Sequence, residues 1–421
     1  MIANGTKNGL DGHVRFLSLS YDSDKSEESA LRLIHTLRPD WVDDPTSKIE
    51  FVRFTDGITN TLLKAVNKRP GLSKEEVDKE SILLRAYGHG TDLIIDRQRE
   101  TQNHELLMQH GLAPELLARF HNGMLYRFIR GSVTHPEDLR KPQIYNAVAR
   151  RLAQWHATVP CLPGKTHISA GMNGHCPESA GALNGHASLQ EAVDNVAPGK
   201  LPPNVWTVMQ KWIFALPTET EAQRQRQVNL QKELVGLVDE LSHRPGLGQD
   251  GLVFAHCDLL SGNVIVLPKT DVEKTTESVT FIDYEYATPS PAAFDLANHF
   301  AEWGGFDCDY NVLPTRSQRR EFIAEYMRSY VSLLPPTQKL DEASEAEKLF
   351  AEVDVFRGLP GFYWGIWALI QATISEIDFD YAAYAEVRLG EYWAWRAEED
   401  GTRAASGKEM PLRERRWCQE A

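Results

Sequence analysis

Residues 253–283 read VFAHCDLLSGNVIVLPKTDVEKTTESVTFID. An apolar lead, Leu252–Phe254, runs into His256, Cys257 and Asp258, and Asn263 follows five residues after Asp258. A second apolar run, Val264–Leu267, gives way to a polar turn, and a third, Val279–Ile282, ends at Asp283. This pattern predicts a strand, a tight loop and a β-hairpin whose far strand ends at a carboxylate. Such a hairpin brings Asn263 and Asp283 close together, with Asp258 facing the same cleft from the preceding loop. One carboxylate is then placed to orient a hydroxyl, while an amide oxygen and a second carboxylate can hold Mg²⁺.

The spacing H-x-D-x-x-x-x-N, then a hairpin, then D, resembles the catalytic loop and metal-binding Asp of protein kinases. Tyr284-Glu285-Tyr286 stand after Asp283 in place of Phe-Gly, which points to small-molecule kinases built on that fold. The continuation FIDYEYATPSPAAFDLANHFAEW (281–303) resembles the choline/ethanolamine kinase family. Asp258-Leu259-Leu260 and Phe281–Ala287 are more similar to its ethanolamine kinases. The resemblance spans about 51–393 and is interrupted at 158–200; Cys257 stands where Asn is common in relatives. It implies an α+β, protein-kinase-like two-lobed fold. A small β-rich N-terminal nucleotide-binding lobe would take residues 1–130, and a larger, mainly helical catalytic and substrate lobe 131–421.

Composition agrees with a soluble globular protein: 421 residues, 42% hydrophobic and 25% charged, enough for two lobes and a sizeable core. The net charge of −14 and the lack of a basic patch argue against nucleic acid. Acidity favours a cationic substrate, although it also serves solubility. The five cysteines, at 161, 176, 257, 308 and 418, show no C-x-x-C spacing and read as free thiols of a reducing compartment. No run of 18 or more apolar residues is present to span a membrane, and the opening residues carry no signal core. The expected location is cytoplasmic, and a homodimer is compatible with the sequence.

Working outward from the central stretch, Val14–Leu19 reads as a strand. Asp24–Leu37 reads as a helix capped by Ser26 or Asp24, with Ala30, Leu33, Ile34 and Leu37 inward. Ile49–Phe54 and Thr61–Val66 flank a loop containing Gly57, Thr59 and Asn60. By itself such a hairpin is most often a turn. The family resemblance makes it a phosphate loop and carries over Gly57, Thr59 and Asn60, while Asp56 at the first Gly position would repel phosphates. Ser81–Tyr87 is a strand containing Arg85, which either points to solvent from an edge or, by resemblance, grips ATP phosphates bidentately. Glu100, in the first turns of the helix 97–110, is either a solvated helix-end charge or the partner of that cation. A hairpin around His121-Asn122-Gly123 leads to Tyr126–Gly131, the expected hinge.

Pro142–Ala157 is amphipathic, with Ile144, Val148, Leu152 and Trp155 inward and a structural His156 at its end. Residues 158–200 read as an irregular insertion; its His167, His175 and Cys176 match no metal spacing. Asn204–Ala215 and Glu221–Leu241 are helical patterns. Asp295, Asn298 and His299 share a helix face that Glu302 continues. Asp295 is expected to brace the catalytic loop, and Glu302 either faces the substrate ammonium or does not. Ser317–Leu333 and Glu342–Leu359 are helical, and residues 398–421 read as a loose tail. Trp364 and Trp367 share a helix face ahead of Tyr384; such a stripe is ordinarily core, but the resemblance makes these three pocket walls.

The implied activity is ATP- and Mg²⁺-dependent phosphorylation of a small aminoalcohol, ethanolamine, to phosphoethanolamine, a first step toward phosphatidylethanolamine. Asp258 would be catalytic. Asn263 and Asp283 would bind metal; Gly57, Thr59, Asn60, Arg85 and Glu100 would serve the nucleotide. Glu285, Tyr286, Glu302, Trp364, Trp367 and Tyr384 would hold the substrate. Choline kinase is the nearest alternative, and a catalytically silent kinase-fold binding protein is the alternative of a different class.

Overall fold

The computed structural model describes residues 14–54, 60–88, 90–91, 94–161, 183–200, 202–269 and 276–421. The chain forms two compact units, Met1–Thr91 with Ala113–Arg130, and Asp92–Leu112 with Gly131–Ala421. Residues 92–112 thus group with the larger unit, although the sequence suggested a contiguous first lobe of 1–130.

Among the described residues of the first unit, six strands form one sheet. They are β1 (Phe16–Leu17), β2 (Lys48–Phe54), β3 (Asn60–Lys68), β4 (Ile82–Tyr87), β5 (Leu116–Phe120) and β6 (Gly123–Arg127), in the order β1-β5-β6-β4-β3-β2. Their alternation buries Leu63, Ala65, Ile82, Leu84, Ala118 and Leu125 beneath Ala30, Leu33 and Ile34 of α1 (Ser26–Leu37) and Trp41 of α2 (Pro39–Asp43). The expected cap of α1 is not used. Lys25 occupies the cap position without a side-chain bond, and the Ser26 hydroxyl accepts from Tyr21 OH at 2.7 Å. Ser73 and Glu76 form a reciprocal capping box on α3 (Lys74–Glu80). In register, Arg85 lies opposite Leu62 of β3 and Met124 of β6. It is therefore central in the sheet and 4% exposed, not a solvent-facing edge residue.

The second unit begins with α4 (Arg97–Gln109), capped by Asp96. Helix α5 (Pro142–Thr158) buries the expected face of Ile144, Val148, Leu152 and Trp155. The Trp155 ring forms a floor 5.4–6.2 Å from Phe254, His256, Phe281 and Tyr284. Within 158–200, α6 (Leu183–Asp194) is helical, which corrects the reading of that whole stretch as irregular. His167, His175 and Cys176 lie outside the described residues. Helices α7 (Val205–Phe214) and α8 (Glu221–Leu241) follow, capped by Asn204 and Thr220.

Three short strand pairings then frame the site. β8 (Val253–Ala255) pairs with β11 (Thr288–Ser290), β9 (Val264–Val266) with β10 (Val279–Phe281), and β7 (Ser132–Val133) with β9. Behind them lie α9 (Ala292–Ala301), α10 (Arg316–Leu333), α11 (Glu342–Phe356), α12 (Leu359–Ile374) and α13 (Tyr381–Glu399). The final residues are ordered as α14 (Thr402–Ala405) and α15 (Leu412–Cys418), and α15 buries Arg413, Glu414 and Trp417. The loose-tail expectation fails because a charged helix can be buried when its charges are paired, and hydropathy alone does not register pairing. Among the described residues no helix is long and apolar enough to cross a membrane.

Candidate active site

The loop between β8 and β9 is shaped by side chains of α9 and α5. Cys257 has φ 62°, a left-handed conformation that a non-glycine residue adopts only when its surroundings compel it. Both of its main-chain groups are held: its amide donates to Asp295 Oδ1 at 2.8 Å, and its carbonyl accepts from Asn298 Nδ2 at 2.9 Å. Asp295 Oδ2 also accepts from the His256 amide and from His156 Nε2, each at 3.0 Å. Leu259 O accepts from His299 Nδ1 at 2.7 Å. The polar face Asp295-Asn298-His299 therefore caps the loop from beneath, and His156 is part of that brace, bonding Tyr326 OH at 2.8 Å. Burial raises the Asp295 carboxyl, but hydrogen bonds and charge from His156, aided by His256 and the Cys257 amide, outweigh it and keep the acid below its usual range.

His256 is buried, and burial lowers its imidazole to about 4, so the ring is neutral. Its Nε2 donates to Ile282 O at 3.1 Å, and its Nδ1 accepts the Asp258 amide at 3.3 Å. One tautomer thus ties the loop to the end of the hairpin. Within that hairpin Val264 pairs with Phe281, and the Ile282 amide donates to Asn263 O at 3.0 Å. Asn263 and Asp283 consequently flank the last rung, as the sequence suggested. Asp283 has φ 66°, turning the chain sharply after β10.

Asn263 Nδ2 donates to Asp258 O at 2.7 Å and to Asp258 Oδ2 at 3.1 Å. Burial, and then the charges of Asp283, Glu302 and Glu285, push the Asp258 carboxyl well above its ordinary value. Asp258 thus lies bonded to Asn263 and within the electrostatic reach of Asp283, Glu302 and Glu285. Glu285 is paired with Arg97 at 3.3 Å, and the same guanidinium holds Glu100 at 2.9 Å. Glu100 is buried, which rules out the solvated helix-end reading. Glu302 pairs with Arg388 at 3.4 Å.

The aromatic residues form a connected wall. Trp367 Nε1 donates to Tyr286 OH at 2.8 Å, and Trp364 Nε1 donates to Asn298 Oδ1 at 2.8 Å. Trp364 stands edge-on to Tyr286 and to Trp367, at 5.6 and 5.4 Å. Both indoles are nearly buried, so their orientation is set by packing before any ligand arrives. Tyr384 lies farther along, 5.6 Å from Phe379 and 6.0 Å from Phe306, with the Arg388 guanidinium 5.8 Å from its ring.

In the first unit, Asn60 pairs in register with Tyr87, and Arg85 is the buried sheet residue described above. Gly57 and Thr59, together with Asp56, lie outside the described residues. Two participants escaped the sequence reading. Arg97 gave no signal beyond its place at a helix start. Arg388 could have been found, because it falls on the same helical face as Tyr381, Tyr384, Tyr392 and Trp395, where an unpaired cation would be costly.

The chain has an α+β, protein-kinase-like fold. An ethanolamine kinase from Plasmodium vivax superposes on the chain with TM-score 0.63 at 24% identity, covering 88% of this chain and 89% of that one. The chain belongs to the choline/ethanolamine kinase family, whose sequence pattern matches residues 51–393. It is 33% identical to mouse ethanolamine kinase 1 over 387 residues, 90% of this chain and 91% of that protein. With human ethanolamine kinase 2 it shares 30% identity over 404 residues, 94% and 87% of the two chains. Membership in a kinase family implies ATP as phosphoryl donor and a small-molecule acceptor.

Proposed function

We propose that this protein transfers the terminal phosphoryl group of ATP to the hydroxyl of ethanolamine, giving phosphoethanolamine and ADP. One observation supports the reading: at the end of a strained, heavily braced loop, Asp258 is bonded by Asn263 and buried where the charges of Asp283, Glu302 and Glu285 act on it. Such a concentration of negative charge suits cationic ligands.

Asp258 orients the acceptor hydroxyl and takes its proton late, as the new P–O bond forms and ADP departs. Its bond from Asn263 holds the carboxylate in one orientation. The same bond turns the amide nitrogen of Asn263 toward Asp258, leaving the amide oxygen as the ligand atom. That oxygen and the Asp283 carboxylate are hard donors of the kind Mg²⁺ takes. When bound, Mg²⁺ would neutralise charge on the phosphate oxygens. Gly57, Thr59, Asn60, Arg85 and Glu100 are assigned to the nucleotide. Glu285 and Glu302 are assigned to the ammonium group, with Tyr286, Trp364, Trp367 and Tyr384 around it. A primary ammonium donates three hydrogen bonds, and carboxylates beside the acceptor site can receive them.

The aromatic wall also favours a second reading, choline, since a quaternary ammonium binds aromatic faces. ADP release with each alcohol separately decides between them. A higher kcat/KM for ethanolamine supports the proposal, a higher value for choline replaces the substrate, and no Mg²⁺-dependent turnover of either makes the protein a silent binder. We also propose a cytoplasmic location, with which the free thiols of Cys161, Cys257, Cys308 and Cys418 agree.

A further inference from the structure

Glu302 is the inner end of a row of buried charges that alternate in sign. Arg388 lies between Glu302, at 3.4 Å, and Glu391, at 3.6 Å. Glu391 Oε2 lies between Arg388 and Arg413 Nε, the latter at 3.8 Å. Arg413 pairs with Glu414 at 3.0 Å, and Glu414 with Arg357 at 2.9 Å. Arg357 reaches Glu399, the solvent end of the row, at 2.8 Å. Arg388 is 1% exposed and Arg413 3%, so these pairs are screened little. Arg413 and Glu414 belong to α15, outside the stretch 51–393 that the family's sequence pattern matches.

We propose that α15, acting through Arg413, Glu391 and Arg388 as positioning residues, sets how much negative charge Glu302 presents to the substrate ammonium. The proposal rests on the assignment of Glu302 to that ammonium. Arg388 is shared, so whatever draws it toward Glu391 unmasks Glu302, and whatever releases it from Glu391 covers Glu302. The effect of a substitution must then change sign from one member of the row to the next. A merely structural row would give losses of the same sign throughout.

The test is steady-state kinetics on the full chain, varying ethanolamine and ATP independently. Glu391→Gln frees Arg388 to cover Glu302, and the KM for ethanolamine rises about five-fold. Arg413→Met leaves Glu391 to pull on Arg388 alone, and the same KM falls about two-fold. In the double variant nothing at position 391 draws on Arg388, so the KM stays within about two-fold of that of Glu391→Gln. The KM for ATP and kcat stay within about two-fold throughout, and Arg415→Ala, on the exposed face of α15, is silent. A KM for ethanolamine that rises in both single variants and further in the double, or moves in neither, overturns the proposal. Wild-type enzyme without ethanolamine turnover overturns the functional reading and this proposal together. Wild-type turnover with sign-invariant variants overturns this proposal alone.

Discussion

Asp295 Oδ1 accepts the main-chain amide of Cys257 at 2.8 Å, so α9 grips the loop between β8 and β9 at its left-handed residue. The same carboxylate also receives the His256 amide and His156. Asp295→Ala leaves these buried donors unpaired and lowers stability by about 3–5 kcal/mol. Urea denaturation of the variant checks this, and a loss under about 1 kcal/mol would remove Asp295 from its bracing role.

Asp258 behaves in the opposite sense. It is buried among Asp283, Glu302 and Glu285, which favour its neutral form, so a neutral Asn is tolerated there at least as well. Asp258→Asn should lower kcat by about 10²–10⁴ while the melting temperature stays level or rises. A fall in both would mean that Asp258 holds the fold instead of serving the reaction.

The same surroundings set a pH dependence. Burial first, and then the three neighbouring carboxylates, raise the Asp258 carboxyl, so the cation-free enzyme keeps its proton above the ordinary carboxylate range. A cation bound beside it favours the ionised form and lowers that value again. The acid limb of kcat/KM for ethanolamine should therefore move to lower pH as Mg²⁺ increases. Profiles at two Mg²⁺ concentrations measure the shift, and coincident limbs would show that another group controls the limb.

His256 and His299 are buried, and burial lowers both imidazoles from 6.5 to about 4. A folded-state value below the unfolded one adds stability above the unfolded value, and that stability is lost as pH falls toward the folded value. Each ring contributes up to about 3 kcal/mol, lost between about pH 6.5 and 4. Thermal melts across that window should slope steeply for the wild type and more gently for His299→Gln. Parallel slopes would place the acid sensitivity elsewhere.

Gly361 lets α12 and α13 approach closely, since a Cβ there would sit 2.6 Å from Arg388 O. Gly361→Ala must push α13 away and is expected to destabilise the protein by about 1–3 kcal/mol. Because Arg388 moves with that helix, the KM for ethanolamine should change more than the KM for ATP. Equal changes would uncouple the helix contact from Glu302.

The chain of residues 253–283 announced its own geometry. Two apolar runs separated by a polar turn can hardly avoid a hairpin, and Asn263 and Asp283 then fall at its base whatever surrounds them. The amphipathic faces of α1 and α5 were legible for the same reason, because periodicity records which side is buried. Long-range pairing leaves no such record. Nothing in the local pattern says that Arg97 meets both Glu100 and Glu285, or that α15 is buried by ion pairs. The sequence by itself determined the order of chemical groups along the loop and hairpin, since local backbone geometry follows from adjacent residues. Only the tertiary structure decided the charge each group carries and the direction it faces, because burial and partners distant in the chain set both.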